Sequence, residues 1–226
     1  MSLKSKLRLR FAVNLLFAAA VLFIPAGSLR FWQAWAWMAV TFIPNSFFFL
    51  YIFKHDPQLL ERRLQAKEQI GVQKLIKAAG ILIFFPSVLL PGLDYRFGWS
   101  RTFLSPVPLW LTLLSEAVVG GGFLVVFWVM RVNSFAASTI RVEPGQPVIS
   151  TGPYRLVRHP MYFGLVVLSL STPLALGSYF ALPAFTLLIP VIVLRLLNEE
   201  KTLRQELPRY AEYCLRTHFR LVPFIW

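Results

Sequence analysis

The sequence predicts an all-α, polytopic membrane protein of about six transmembrane helices, ending in a helical hairpin and a C-terminal amphipathic helix. Three observations lead there. Of 226 residues, 57% are hydrophobic and only 15% charged, against about 25% charged in a soluble domain. The apolar residues come in long runs rather than at strand or helix period, which marks bilayer-spanning segments. Basic residues also gather on alternate connections between those runs, as they do on the cytoplasmic side of membrane proteins.

Six apolar segments carry the prediction: roughly 11–29, 34–53, 75–93, 107–130, 160–176 and 180–197. Each is long enough for a helix that crosses the hydrocarbon core, the fifth only just. The first follows a basic start, Lys4, Lys6, Arg8 and Arg10. That outline suits a secretory signal, but Phe23-Ile24-Pro25 lacks the small-residue cleavage pattern, so the segment reads as a first span. The run Gly120-Gly121-Gly122 in the fourth segment lets a neighbouring backbone come close. Only Leu176-Gly177-Ser178-Tyr179 separates the last two segments, so they form a tight helical hairpin. Pro183 and Pro190 should kink the final span. Beyond it, Leu203, Leu207, Tyr210 and Cys214 recur among charged residues, which suggests an amphipathic helix lying at the membrane surface over 199–216. The chain reads as one membrane domain, 1–226, with four spans in 1–130 and the loop, hairpin and tail in 131–226.

Charge gives the orientation. With the N-terminus inside, nineteen basic residues fall on the cytoplasmic side. They are the four at the start, then Lys54, Arg62, Arg63, Lys67, Lys74 and Lys77, then Arg131, Arg141, Arg155 and Arg158, and finally Lys201, Arg204, Arg209, Arg216 and Arg220. Arg30, Arg96 and Arg101 fall outside, and Arg195 lies within the last span. Both termini are therefore expected in the cytoplasm. The net charge of +13 is explained by this topology rather than by nucleic acid, since no basic run is interleaved with aromatics that would stack on bases. The single cysteine, Cys214, rules out an internal disulfide and any Cys-x-x-Cys motif.

Polar residues at membrane depth are costly and point to function. Arg195 and Glu199 lie four residues apart and share one helix face, where they could grip one ligand from two sides or form a helix-end ion pair. Glu200 is turned about 100° away. The block Arg155-Leu156-Val157-Arg158-His159-Pro160-Met161-Tyr162-Phe163-Gly164 leads from the long 131–159 loop into the fifth span. Pro160 suits the first helical turn, whose amides offer an anion site; the alternative is a basic cluster anchored to lipid headgroups. Glu116, in the fourth span, reads as structural or protonated.

Together these pieces carry a resemblance. Val148 to Gly164, then Arg195-Leu196-Leu197-Asn198-Glu199-Glu200-Lys201-Thr202-Leu203 some thirty residues on, then Tyr210, Tyr213 and the ending Phe219-Arg220-Leu221-Val222-Pro223-Phe224-Ile225-Trp226, resemble the isoprenylcysteine carboxyl methyltransferase family over about 131–226. Gln146 and Pro208 stand where that family often has His and Gly. The resemblance implies an integral membrane methyltransferase using S-adenosylmethionine. It places Gln146, Pro147, Val148, Ile149, Tyr154, His159, Pro160, Met161, Tyr162 and Glu199 against the cofactor, and gives Arg195 to the substrate. The implied acceptor is a prenylcysteine carboxylate or similar lipophilic acid, entering from the bilayer. Three alternatives stand beside it. A phospholipid N-methyltransferase shares much of this pattern, with His159 or Glu200 available as base. A sterol-reductase-like protein using NADPH ends similarly, but carries an acidic-basic-cysteine pattern where this chain has Asn198-Glu199-Glu200-Lys201. The third is a non-catalytic lipid-binding membrane protein.

Overall fold

The computed structural model describes residues 3–65, 71–136, 139–140 and 142–226. Two of the nineteen basic residues above, Lys67 and Arg141, lie outside the described residues. All regular structure among the described residues is helical. In chain order the helices are α1 (Leu3–Ala26), α2 (Trp32–His55), α3 (Pro57–Gln65), α4 (Gly71–Phe97), α5 (Trp99–Phe103), α6 (Leu109–Val132), α7 (Pro160–Ala175), α8 (Leu182–Thr186), α9 (Leu188–Glu206) and α10 (Tyr210–Arg216). A 3-10 turn at Gly152–Arg155 precedes α7. Among the described residues, five helical stretches are long and apolar enough to cross a membrane: α1, α2, α4, α6, and α8 with α9 taken as one. With the shorter apolar α7 they match the six segments read from the sequence, and the chain is a polytopic membrane protein. Exposed side chains such as Leu16, Leu82, Phe47 and Trp110 form the lipid-facing surface expected of one.

Helix packing follows from small residues and prolines. Tight contact between α6 and α7 runs through Gly122 and Gly164: a Cβ on Gly122 would stand 2.9 Å from Leu168, and one on Gly164 3.2 Å from the Gly122 carbonyl. Of the three consecutive glycines, only Gly122 serves this close approach; Gly121 has open space and Gly120 meets Val40 at an ordinary 3.5 Å. The hairpin turn closes where Gly177 takes φ +70°, a left-handed cap that favours glycine. Pro183 sits in the first turn of α8 and starts a helix instead of kinking one. Pro190 has the expected effect, because the helix breaks at Leu187, within reach of the ring's clash with the preceding turn.

At the end remote from the 131–159 loop, a buried carboxylate that no sequence pattern marked ties three elements together. Asp94 of α4 accepts from the Ser100 amide at 2.7 Å, the Ser100 hydroxyl and the Ser178 hydroxyl, joining α4, α5 and the hairpin turn.

The tail departs from the amphipathic surface helix predicted over 199–216. Residues up to Glu206 continue α9, then Pro208 ends it and Arg209 turns the chain at φ +66°. The apolar positions Leu207, Tyr210 and Cys214 do share a face, but with Tyr213 they are buried against Val142, Val148 and Tyr154 of the long loop. The face that suggested a membrane surface is occupied by the protein itself.

Candidate functional site

A cavity of about 700 Å³ lies among α4, α6, α7 and α9 beneath the 133–154 loop. On α9 its wall is a helical stripe: Leu188, Val191, Ile192, Arg195, Glu199 and Leu203. This spacing of three and four residues is one face of an α-helix, and Leu196 and Glu200 are buried on the other side. The stripe changes from apolar to charged along its length. At the apolar end the cavity is closed by Phe185 and reaches Trp37 and Thr172. At the polar end every residue named above for cofactor or substrate meets the same space: Gln146, Pro147, Val148, Ile149, Tyr154, His159, Pro160, Met161, Tyr162, Arg195 and Glu199.

Separate elements hold the two charged groups on α9. Tyr162, one turn into α7, donates to Glu199 Oε2 at 2.5 Å. Gln73, in the first turn of α4, accepts from Arg195 Nη1 at 3.3 Å. Arg195 and Glu199 are one turn apart; Tyr162 faces both charges, and Gln73 adds a contact from α4 on the Arg195 side.

The roof is built by side chains fixing an irregular loop. Gln146 Oε1 accepts from the Glu143 amide at 3.0 Å, closing the turn in which Gly145 has φ +74°. Asn133 donates through Nδ2 to the Tyr154 hydroxyl at 2.7 Å, leaving the phenol's own proton to point elsewhere. Burial pushes Tyr154 up to about 12, so it stays a neutral donor; Asn133 works against this shift and Glu199 adds to it. Tyr213 of α10 donates to the Tyr154 carbonyl at 2.8 Å.

His159 caps α7 and Pro160 takes the first helical position, as the sequence suggested. The amides of Arg158 and His159 donate to the carbonyls of Phe219 and Arg220, both at 2.9 Å, so the returning C-terminal segment anchors this helix start. Burial lowers His159 to about 4, with Glu200 opposing and Arg158 and Arg220 reinforcing that shift. It is neutral at pH 7, and its Nε2 is buried with no partner among the described residues.

Glu200 has a different role from its neighbour. Its side chain is 4% exposed and meets Arg158 at 3.2 Å, Arg204 at 2.9 Å and Arg220 at 2.7 Å. It locks α7, α9 and the tail together and is not on the cavity wall among the described residues. The basic cluster expected to meet lipid headgroups is thus partly an internal lock: Arg158 is buried, while Arg155 stays exposed. Glu116 is buried, and neither of its oxygens has a partner among the described residues.

Four contributors escaped the sequence reading. Helix α3 is amphipathic and short, inside a stretch read only as a basic connection. Its Arg62 donates to the Ser134 carbonyl at 2.9 Å and pairs with Glu143 at 3.2 Å. Arg63, on the cavity wall, donates to the Ala136 carbonyl at 2.7 Å. Gln73 and Asn133 are the other two. Asn133 had a local signal, since its Oδ1 accepts from the Phe135 amide two residues on, a turn typical of Asn at a helix end.

Residues 110–209 match the family model described as phospholipid methyltransferase. The chain is 31% identical over 156 residues to the cobalt-zinc-cadmium resistance protein CzcN of Cupriavidus metallidurans, covering 67% of this chain and 62% of that one. It is 31% identical over 91 residues to a Delta(14)-sterol reductase of Mus musculus, covering 39% of this chain and 22% of the reductase. The chain therefore spans less than two thirds of the length of either relative. The matched region runs from α6 through the roof loop and the α7–α9 hairpin, so over residues 110–209 the chain is similar to the phospholipid methyltransferase family.

Proposed function

We propose that the protein transfers a methyl group from S-adenosylmethionine to the carboxylate of a lipophilic acceptor, a prenylcysteine or similar acid, that enters the cavity from the bilayer. The observation that carries this reading is that Arg195 and Glu199 stand one turn apart on one cavity wall, with Tyr162 bonded to Glu199 and Gln73 to Arg195. The family implies the donor. When bound, S-adenosylmethionine supplies an electrophilic methyl group on a sulfonium. The residues present fit it: a carboxylate, Glu199, for its ammonium; phenols from Tyr154 and Tyr162; the backbone of Gln146 to Ile149; and the unpartnered buried Nε2 of His159. A cavity of about 700 Å³ falls in the range of small-molecule sites.

The chain's own contribution is alignment. An acceptor carboxylate is already ionised at neutral pH, with a reference pKa of about 4, so no base is required. Arg195 is permanently charged and presents a planar fork that grips both carboxylate oxygens. The apolar stripe from Ile192 to Leu188 takes the hydrocarbon part and keeps water from the reacting pair. We place the polar end of the cavity, and both termini, on the cytoplasmic side, supported by nineteen basic residues against three. A reporter fused after Trp226 that works only outside the cell should stay silent; activity there would reverse the orientation.

A second reading, a phospholipid N-methyltransferase, is favoured by the description of the matching family. An amine acceptor must lose a proton before attack. His159 is the neutral group on the cavity wall, but burial that lowers it to about 4 makes it a weak base for that step. Glu200, the other base considered from sequence, is committed to three arginines.

Replacing Glu199 tests the cofactor side. Losing a charge-assisted hydrogen bond costs about 1.5–3 kcal/mol, or roughly one to two decades in affinity. Glu199→Ala should weaken S-adenosylmethionine binding in calorimetry by that amount while the protein stays monodisperse in detergent. Unchanged affinity would remove Glu199 from the cofactor site.

A further inference from the structure

No motif singles out Gln73. It sits in the first turn of α4, at the head of an apolar run, and its side chain is fully buried. Amide side chains are mostly exposed, so full burial asks for a reason. Part of the reason is Arg195, whose Nη1 donates to Gln73 Oε1 at 3.3 Å. A guanidinium has donors only, so the amide must turn its oxygen to Arg195. That fixes Nε2, on the same carbon, beside the guanidinium. There Nε2 is buried, and neither of its protons has an acceptor among the described residues. Buried donors without an acceptor are costly, so such a group points to a partner that arrives. Gln73 is not itself on the cavity wall; it lies behind Arg195, which is, and the next turn of α4, through Ile76, Lys77 and Gly80, lines the same cavity.

Resting on the carboxylate-methylating reading above, we infer that Gln73 is an acceptor-recognition residue. Its carbonyl positions the Arg195 guanidinium and its NH₂ donates to the acceptor's oxyanion beside it. The acceptor headgroup is then read by donors from two helices, α4 and α9. This arrangement selects an anion with lone pairs facing both donors, and rejects an ammonium, which would set donor against donor. A neutral amide also suits the position electrically. A lysine there would repel Arg195, and a glutamate would neutralise it and repel the acceptor.

The test compares two probes in detergent: an S-prenylated N-acetylcysteine, and the same molecule with its carboxylate converted to a carboxamide. Binding of each is measured alongside S-adenosylmethionine affinity and methyl transfer. The wild-type protein should prefer the acid. Gln73→Met removes both functions of the amide and should cut that preference about tenfold, the scale of one hydrogen bond to a charged group. Gln73→Glu can still pair with Arg195, so the fold is kept, but it presents an acceptor to the carboxylate. It should cut the preference about a hundredfold or reverse it, through loss of the bond and like-charge repulsion. Both variants should bind S-adenosylmethionine within about twofold of wild type, since the cofactor side is held by Tyr162 and Glu199. If wild type prefers and methylates the acid, but the preference survives either substitution, the role of Gln73 is overturned alone; if wild type transfers methyl groups without preferring the acid, the carboxylate reading falls and this inference with it. If wild type neither binds the donor nor transfers a methyl group, the methyltransferase reading falls and this inference falls with it.

Discussion

Arg195→Ala should abolish methyl transfer, or reduce it by at least about a hundredfold, while leaving S-adenosylmethionine affinity within about twofold of wild type. Orientation of reacting groups supplies much of the rate in a displacement that needs no base, with effective molarities worth about 7–11 kcal/mol in the best cases. Arg195 is placed to provide it. It stands on the cavity stripe, half-buried, with Gln73 holding one end of its fork. Glu199, one turn on, has its own support from Tyr162, so losing Arg195 does not release it. Arg195→Lys should rescue poorly, because an ammonium keeps the charge but not the planar pair of donors. A plain ion pair between Arg195 and Glu199 predicts the opposite pattern, with both alanine variants giving the same defect. Calorimetry and turnover on the same preparations separate the two. Loss of the cofactor in Arg195→Ala comparable to that in Glu199→Ala would end the division of labour.

Glu200→Ala should destabilise the fold by about 3–5 kcal/mol, the usual effect of removing one partner from a buried ion pair. The mechanism is specific to the residue left behind. Arg204 and Arg220 reach solvent, with side chains 45% and 34% exposed, but that of Arg158 is only 6% exposed and would be stranded. The damage should also be local. Glu200 links the start of α7 to the tail segment that carries Phe219 and Arg220, so limited proteolysis should open the 217–226 segment first. Lowered melting temperature in detergent with intact S-adenosylmethionine binding at low temperature is the expected combination. A variant as stable as wild type would show that the three arginines are satisfied without the carboxylate.

The contrast between adjacent Glu199 and Glu200 shows how far the sequence could be read. Helical period puts them about 100° apart, enough to see that only one shares a face with Arg195. Nothing local tells that Glu200 meets Arg158 and Arg220, because the first of these is 42 residues before it and the second belongs to the tail segment that returns to the start of α7. The six spans were legible because hydrophobicity over a bilayer thickness is a property of one segment. The wall residues from Gln146 to Tyr162 were named through the family resemblance, whose motif falls within one stretch of sequence. What stayed hidden is what depends on tertiary packing. Helix α3 has too few apolar residues to stand out, yet Arg62 and Arg63 brace the roof. Gln73 and Asp94 are single polar residues at the two ends of α4, and their meaning lies in partners on α9, α5 and the hairpin turn. Conversely, the tail had the pattern of a surface helix and went inward, because amphipathicity says that a face is covered, not by what.

The most direct measurement of the proposed chemistry follows the methyl group itself. Purified protein in detergent is given S-adenosylmethionine with a tritium-labelled methyl group, together with an S-prenylated N-acetylcysteine and, in a parallel reaction, phosphatidylethanolamine. The lipid product is then treated with alkali, which hydrolyses a methyl ester to volatile methanol and leaves an N-methyl group in place. Label on the prenylcysteine that is released by alkali, and lost in Arg195→Ala, is the predicted result. Label that appears only on the phospholipid and resists alkali would contradict carboxylate methylation and assign the cavity to an amine.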